Sequence, residues 1–232
     1  MKFFCPDFSN PTVLTGDQAY HCIKVLRCKV NDPIQLLNGN GEIADGKIIE
    51  LRRSEVMIEI DHISKPNPEN LNKLSVAISI PKNPARLEWF LEKATEIGVD
   101  NIFPIISQRT EKATIKTERL EQIIIAAAKQ SSQLFFPKLH PVQQLTAFLG
   151  NNPSAQKLIA HCEDKKKHLK DIYRMKEAAV ILIGPEGDFT KEEIEAAINN
   201  NYTPVSLGNS ILRVETAGVV ACSIINTINF EG

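Results

Sequence analysis

LIGPEGDFT (residues 182–190) and SLGNSILRVETA (residues 206–217) are the most informative segments of this chain. Each segment follows an apolar run, carries glycine at a turn and precedes a helical pattern. In an open parallel α/β sheet, ligands bind beyond the carboxyl ends of the strands, where glycine lets the backbone approach a ligand. Neither segment has the glycine spacing of a dinucleotide-binding turn or the Lys-Ser/Thr pair of a Walker loop. The two segments therefore predict a pocket for a different nucleotide-like ligand.

Apolar runs alternate with helical patterns through the second part of the chain. The strand-like runs cover residues 75–80, 102–106, 157–161, 179–183 and 204–207. This alternation predicts an α/β domain with a mainly parallel sheet.

Two helices of this domain have distinct sequence signals. A helix is predicted at residues 86–97, with Gly98 as its C-cap and one apolar face made of Leu87, Phe90, Leu91 and Ala94. The last helix is predicted at residues 217–228, capped by Thr216, and it is apolar on nearly every face. A helix of that kind must be buried.

The first seventy residues are mostly β, with one early helix. Thr15 and Gln18 match a capping box, and the apolar face of the helix that follows consists of Ala19, Cys22, Ile23 and Leu26.

The β pattern follows this helix. A hairpin loop at residues 38–41 and an alternating strand around Val56, Ile58 and Ile60 predict a small antiparallel barrel or sandwich. Residues 64–70 contain two prolines and no large apolar side chain, so we expect the domain boundary there.

Bulk composition narrows the function classes. The 232 residues are 43% apolar and 24% charged, with a formal net charge of −1, so an RNA partner would need a local basic patch. No apolar run reaches the roughly 18 residues of a membrane span, and no secretory leader is visible. Five scattered cysteines without a C-x-x-C pair suit a reduced cytosol and predict no metal site. The absence of G-x-S-x-G argues against a serine hydrolase of the α/β-hydrolase type.

A few polar residues near the glycine segments are candidates for chemistry. Thr190 and Glu193 match a capping box. The GPEG turn is explained equally well as part of a ligand site or as a tight connection between a strand and a helix. Arg213 and Glu215 form either a local salt bridge worth under about 1 kcal/mol or, for Arg213, a site for an anionic substrate. His161 ends a strand of the same sheet, where a pocket wall would lie.

Six segments, in order along nearly the whole chain, resemble the RsmE family. They are HCIKVLR (21–27), LEWFLEKATEIGV (87–99), IFPIISQR (102–109), AAAKQS (126–131), LIGPEGDFT (182–190) and LGNSILRVETAGVVA (207–221). This family contains the small-subunit ribosomal RNA uridine N3-methyltransferases of the SPOUT superfamily. The resemblance implies an RNA-binding PUA-like β-barrel at residues 1–70 and a SPOUT α/β methyltransferase domain with a deep trefoil knot at residues 71–232. It also implies a cytoplasmic homodimer that acts on the ribosomal RNA of the small subunit, without a membrane or metal partner.

The resemblance further assigns roles to single residues. It implies that S-adenosylmethionine is held by Ala160, His161, Ile183, Gly184, Pro185, Glu186, Gly187, Leu207, Gly208, Asn209, Ser210, Ile211, Leu212 and Arg213. The catalytic residues are expected to be Arg213 and Glu215. RNA contacts are expected at Lys24, Arg27, Lys82 and Arg86, although a solvated helix face explains Lys24 and Arg27 about as well.

The implied reaction requires loss of the uracil N3 proton. Its pKa lies about two units above neutral, so forming the anion costs roughly 3 kcal/mol. Our hypothesis is that Arg213 stabilises the uracil anion and that Glu215, or a water it holds, accepts the proton. Two other readings stay open: a non-catalytic, dimeric RNA-binding module of the same fold, and a small-molecule enzyme that uses the same pocket.

Overall fold

The computed structural model describes residues 1–65, 74–111, 114–151, 154–163 and 166–230. The chain divides into two compact units, residues 1–70 with 128–136, and residues 71–127 with 137–232. A single domain boundary near residue 70 would assign segment 128–136 to the second unit, but this segment belongs to the first. Most of the expected linker, residues 66–70, lies outside the described residues.

The first unit contains a five-stranded sheet. Its strands are β1 (Lys2–Phe4), β2 (Thr12–Thr15), β3 (Pro33–Leu37), β4 (Ile43–Leu51) and β5 (Glu55–Ser64). They lie in the order β1-β3-β4-β5-β2. Of the pairings described within this sheet, only β1–β3 is parallel. The predicted hairpin loop connects β3 to β4, and Val56 and Ile58 point into the core as the alternation predicts.

Segment 128–136 packs on the β3–β4 hairpin loop within this unit. The Gly41 amide donates to the Leu134 carbonyl (3.0 Å), and the Phe136 amide donates to the Gly39 carbonyl (2.8 Å). Both glycines have positive φ, and a side chain at Gly41 would overlap the ring of Phe135. Glycine is therefore required here both by backbone conformation and by close approach.

The early helix differs from its prediction. α1 (Gly16–Tyr20) continues as a π-helical turn (His21–Val25), and the Thr15 side chain makes no capping hydrogen bond. The Gln18 side chain instead accepts from the Phe4 amide (2.9 Å) and donates to its carbonyl (2.6 Å). The predicted capping box is therefore wrong, because a tertiary contact takes the residue that would complete it. The π turn also changes the helical register, which leaves Leu26 exposed while Ala19 and Cys22 are buried.

The second unit contains a parallel sheet, as predicted. Its strands are β6 (Leu74–Ser79), β7 (Asn101–Ile106), β8 (Lys138–Leu139), β9 (Gln143–Gln144), β10 (Gln156–Ala160), β11 (Ala179–Ile183) and β12 (Thr203–Val205). The order is β12-β10-β11-β6-β7-β8, with β9 also on β7, and every described pairing is parallel.

Helices cover both faces of this sheet. The helices that follow β6 along the chain are α2 (Pro84–Ile97), α3 (Thr117–Ser131, across which the two units divide), α4 (Leu145–Asn151), α5 (Leu169–Ile172), α6 (Lys191–Asn199) and α7 (Val214–Phe230). Side chains of α4 and α6 pack with Ala77, Val180 and Leu182 on one face. α7 packs with α2, β6 and β11 on the other face. Within the described residues, no helix is long and apolar enough to cross a membrane.

The α2–α7 contact depends on one glycine. A Cβ atom at Gly218 would lie 2.5 Å from Phe90 Cε2 and 3.4 Å from Ile78 Cδ1. Phe90 belongs to the apolar face predicted for α2, which is buried as expected and ends at Gly98 with φ 94°. The small residue therefore lets the two helices approach closely.

The last helix begins earlier than its prediction. The Ala217 amide donates to the Arg213 carbonyl (2.8 Å), so Thr216 lies inside the first turn instead of capping it. In the single chain, the prediction that this helix is buried holds for one of its faces. The buried residues of that face are Val214, Glu215, Gly218, Ala221, Cys222 and Ile225.

Candidate functional site

A cavity lies at the carboxyl ends of three neighbouring strands of the second unit. β10 runs between β11 and β12, and the last residues of the three strands, Ala160, Ile183 and Val205, all line the cavity. The chain passes from β11 to β12 across β10, which opens a crevice where the connecting loops separate. The cavity has a volume of about 220 Å³.

Both glycine segments contribute to the wall. Of the residues expected to hold a cofactor, the wall contains Ala160, His161, Ile183, Gly184, Pro185, Glu186, Leu207, Gly208, Asn209, Ser210, Ile211 and Leu212. The two segments thus meet at one place, as expected for glycine turns that follow strands of one parallel sheet. Gly187 and Arg213 are not on the wall.

The first segment forms a closed turn after β11. The Asp188 amide donates to the Pro185 carbonyl (2.9 Å), and Asp188 itself has φ 62°. Its carboxylate accepts from the Cys162 amide (2.6 Å) and therefore fixes the turn to the end of β10. Gly187 faces away from the cavity, and its carbonyl accepts from Arg109 Nη1 (2.5 Å).

The second segment is fixed by Ser206, the residue after β12. Its hydroxyl accepts from the Gly208 amide (3.2 Å) and donates to the Gly208 carbonyl (3.0 Å). The Ser206 carbonyl also accepts from the Leu169 amide (2.9 Å) at the start of α5. Gly208 has φ 143°, a conformation that favours glycine. The loop that follows is therefore held at both the strand end and the turn.

The wall also contains seven residues that were not predicted from the sequence. They are Cys162, Lys166, Asp188, Val205, Ser206, Val214 and Ala217. Asp188 has a visible signal, since aspartate tolerates positive φ and directly follows the GPEG turn. Val214 and Ala217 stand three apart on one helical face, but the wrong start assigned to α7 hid that relation.

The charged residues near the cavity are arranged differently from the expected local pair. Glu215 is 8% exposed, and its Oε1 lies 3.7 Å from Arg86 Nε. Arg86 Nη1 also lies 3.3 Å from Glu186 Oε1. Arg213 is exposed and forms no ion pair with the residues that the structure describes. The local Arg213–Glu215 salt bridge is therefore replaced by a tertiary cluster.

The other expected RNA-contact residues lie at the surface. Lys82 pairs with Glu111 (2.7 Å), and both side chains are largely exposed. Lys24 and Arg27 are exposed on the first unit, and Arg27 has φ 53°.

Cys162 places a thiol on the cavity wall. Of the five free cysteines it is the one that is exposed. Partial burial, and then the nearby Asp188 carboxylate, raise the pKa of the Cys162 thiol.

Comparison with known proteins identifies the family. A family model described as an RNA methyltransferase domain matches residues 67–226, and an RNA methyltransferase PUA domain matches residues 14–61. The Ribosomal RNA small subunit methyltransferase E of Rickettsia conorii is 30% identical over 215 residues, which cover 90% of this chain and 86% of that protein. The chain belongs to the RsmE family.

Solved structures agree with this membership. A probable rRNA-methyltransferase from Porphyromonas gingivalis has a TM-score of 0.94 and 36% identity, covering 99% of this chain and 98% of that one. The RsmE protein of Neisseria gonorrhoeae, solved bound to S-adenosyl methionine, has a TM-score of 0.85 and 30% identity, covering 97% and 96%. The resemblance and the fold class predicted from the sequence, an α/β SPOUT domain with a PUA-like unit, are confirmed. The trefoil knot stays a prediction.

Proposed function

We propose that this chain transfers a methyl group from S-adenosylmethionine to N3 of one uridine in 16S ribosomal RNA of the small subunit, the uracil-1498 type of activity. The observation that carries the proposal is the cavity at the ends of β10, β11 and β12, because the two glycine segments of an RsmE chain meet there. The Neisseria relative, with S-adenosyl methionine bound, supports the choice of cofactor.

The residues of the cavity suit this cofactor. Its wall combines main-chain groups of residues 207–212 with the carboxylates of Glu186 and Asp188 and the amine of Lys166. S-adenosylmethionine carries an adenine edge, an amino acid end and a positive sulfonium. Main-chain amides and carbonyls suit the adenine edge, and the charged groups suit the two ends of the amino acid and the sulfonium.

Arg213 and Glu215 remain the proposed catalytic pair. When bound, the cofactor supplies an electrophilic methyl group. Arg213 is exposed at the start of α7, where its guanidinium is free to stabilise negative charge on the uracil carbonyl oxygens. Glu215 Oε2 is buried and takes no hydrogen bond from the described residues, so a carboxylate oxygen is available for a proton, directly or through a water.

Several features support the proposed partners. Lys24, Arg27, Lys82 and Arg86 are the proposed RNA contacts, and phosphate binding by a chain of net charge −1 requires such local groups. The apolar side chains of α7 that stay partly buried in the single chain support a homodimer formed through this helix. They are Val219, Val220, Ile224 and Ile228. We propose a cytoplasmic location, where the ribosomal substrate is found.

Isothermal titration with S-adenosylmethionine tests the cofactor, and transfer of a labelled methyl group to small subunits, followed by mass spectrometry of the RNA, tests the reaction. We expect Arg213→Ala to bind the cofactor as the unchanged protein does, because Arg213 is off the cavity wall, and to lose about 100-fold or more in methyl transfer. Arg174→Ala, at an exposed arginine paired with Glu177, is the matched control. A protein that binds RNA but no cofactor would instead be the non-catalytic module.

A further inference from the structure

Arg86 connects the two segments that build the cavity. It stands in the first turn of α2, and its guanidinium lies 3.3 Å from Glu186 Oε1 and 3.7 Å from Glu215 Oε1. Glu186 belongs to the GPEG turn, and Glu215 to the first turn of α7. One side chain therefore holds together pieces of chain that are far apart in sequence.

Each carboxylate is coupled to the cavity wall. Glu186 lies on the wall itself, and its Oε1 also accepts from the Lys82 amide (3.1 Å), just before α2. Glu215 follows Val214, which is a wall residue. A shift of either carboxylate would therefore move the lining of the cavity.

The charges explain why Arg86 is needed. Arg86 faces two carboxylates, and the Glu215 side chain is only 10% exposed. Glu215 Oε2 takes no hydrogen bond from the described residues. Among those residues, Arg86 is the cation that pairs with the Glu215 carboxylate. Removal of one partner of a buried ion pair strands the other charge, which is strongly unfavourable. Without Arg86, two carboxylates would also repel each other.

We infer that Arg86 is a positioning residue of the proposed cofactor site, holding the GPEG turn and α7 at the spacing that the cofactor needs. This inference rests on the proposed function. This role is separate from the RNA contact proposed for Arg86, and it makes a distinct prediction for cofactor binding in the absence of RNA.

The test begins with titration of S-adenosylmethionine into RNA-free protein. Arg86→Met keeps the length of the side chain and removes its charge, and we expect the cofactor Kd to rise about tenfold. Arg86→Lys should recover only part of the affinity, because an ammonium cannot bridge two carboxylates as a guanidinium does. Arg119→Met is the matched control, because Arg119 pairs with Glu88 of the same helix and lies off the cavity wall.

A second variant separates charge compensation from general damage. Arg86→Met combined with Glu215→Gln removes the stranded charge, so we expect cofactor affinity to recover most of the loss. Thermal unfolding followed by circular dichroism shows whether each variant is folded. If the single variant does not fold, recovery of folding in the double variant supports the inference, and failure of the double variant to recover either folding or affinity overturns it.

The RNA arm gives the opposing result. If Arg86 serves only as a phosphate contact, Arg86→Met would leave the cofactor Kd unchanged, weaken RNA binding, and lower the slope of log K against log salt by about one. That outcome overturns the inference and leaves the proposed function intact. If the unsubstituted protein binds no S-adenosylmethionine, the proposed function itself fails.

Discussion

Enlarging Gly218 isolates the packing of α7 against α2. A Cβ atom at this position would lie 2.5 and 2.7 Å from two ring carbons of Phe90, which is fully buried. Ordinary carbon contacts begin near 3.4 Å, so either the Phe90 ring or the whole of α7 must move. Because Val214 and Ala217 of α7 line the cavity, such a movement would also reach the proposed cofactor site.

The change in the free energy of unfolding for Gly218→Ala follows from two opposing effects. Overpacking a filled core costs about 1–3 kcal/mol. Replacing glycine by alanine inside a helix returns up to about 1 kcal/mol. We therefore expect Gly218→Ala to lower the free energy of unfolding by about 0–2 kcal/mol.

Gly150→Ala provides the matched control. Gly150 is also helical, and a Cβ atom there would meet nothing within 4 Å. It should gain the helix propensity without the clash, so the difference between the two variants gives the cost of packing alone, about 1–3 kcal/mol. Urea unfolding followed by the fluorescence of Trp89, the single tryptophan, reports directly on α2. Equal stability of the two alanine variants would refute the close α2–α7 packing.

Three further predictions test separate features. Cys162 should react with a maleimide before the other cysteines because it is the exposed one, and its raised pKa should place the increase of the reaction rate at higher pH than for an ordinary thiol. Bound S-adenosylmethionine should slow this reaction, and an unchanged rate would contradict the position of the cavity. Burial, and then Lys138, lower the pKa of His140, so its stabilising effect is present above the ordinary pKa of about 6.5 and is lost as pH falls through the folded value. The Tm should therefore fall more between pH 7 and 5 than in His140→Gln, and parallel profiles would count against it. Thr190→Ala should lower the free energy of unfolding measured in urea by about 1 kcal/mol, because Thr190 and Glu193 form the capping box of α6. An unchanged free energy would show that the capping box does not stabilise the protein.

Local patterns with long apolar runs were predictable from the sequence. β11 matches its predicted bounds, since a short run of consecutive apolar residues is typical of a strand buried on both faces. Many residues of the cavity wall were predictable from the resemblance to the RsmE family, while the glycine turns after parallel strands indicated only where the backbone can meet a ligand. Thr190 with Glu193 was recognised because both partners of that capping box lie within one helical turn.

Features that depend on distant partners could not be read from spacing. Gln18 matches a local capping motif but bonds to Phe4 in β1, and nothing in the helix itself signals that preference. The ion pair of Arg86 with Glu215 joins residues well over one hundred positions apart. A single sequence does not show which distant residues are in contact, so the expected partner of Glu215 was the nearest cation along the chain, Arg213.

Segment 128–136 makes the first unit discontinuous along the chain, and this affects how the protein can be divided. A fragment that stops at residue 70 would lack the Leu134 carbonyl that accepts from Gly41 and the aromatic rings that cover the hairpin glycines. Transfer of this unit to another enzyme would require two separate segments of chain, residues 1–70 and residues 128–136, the second of which includes the end of α3. Recombination between relatives should therefore exchange these enzymes whole more readily than by halves.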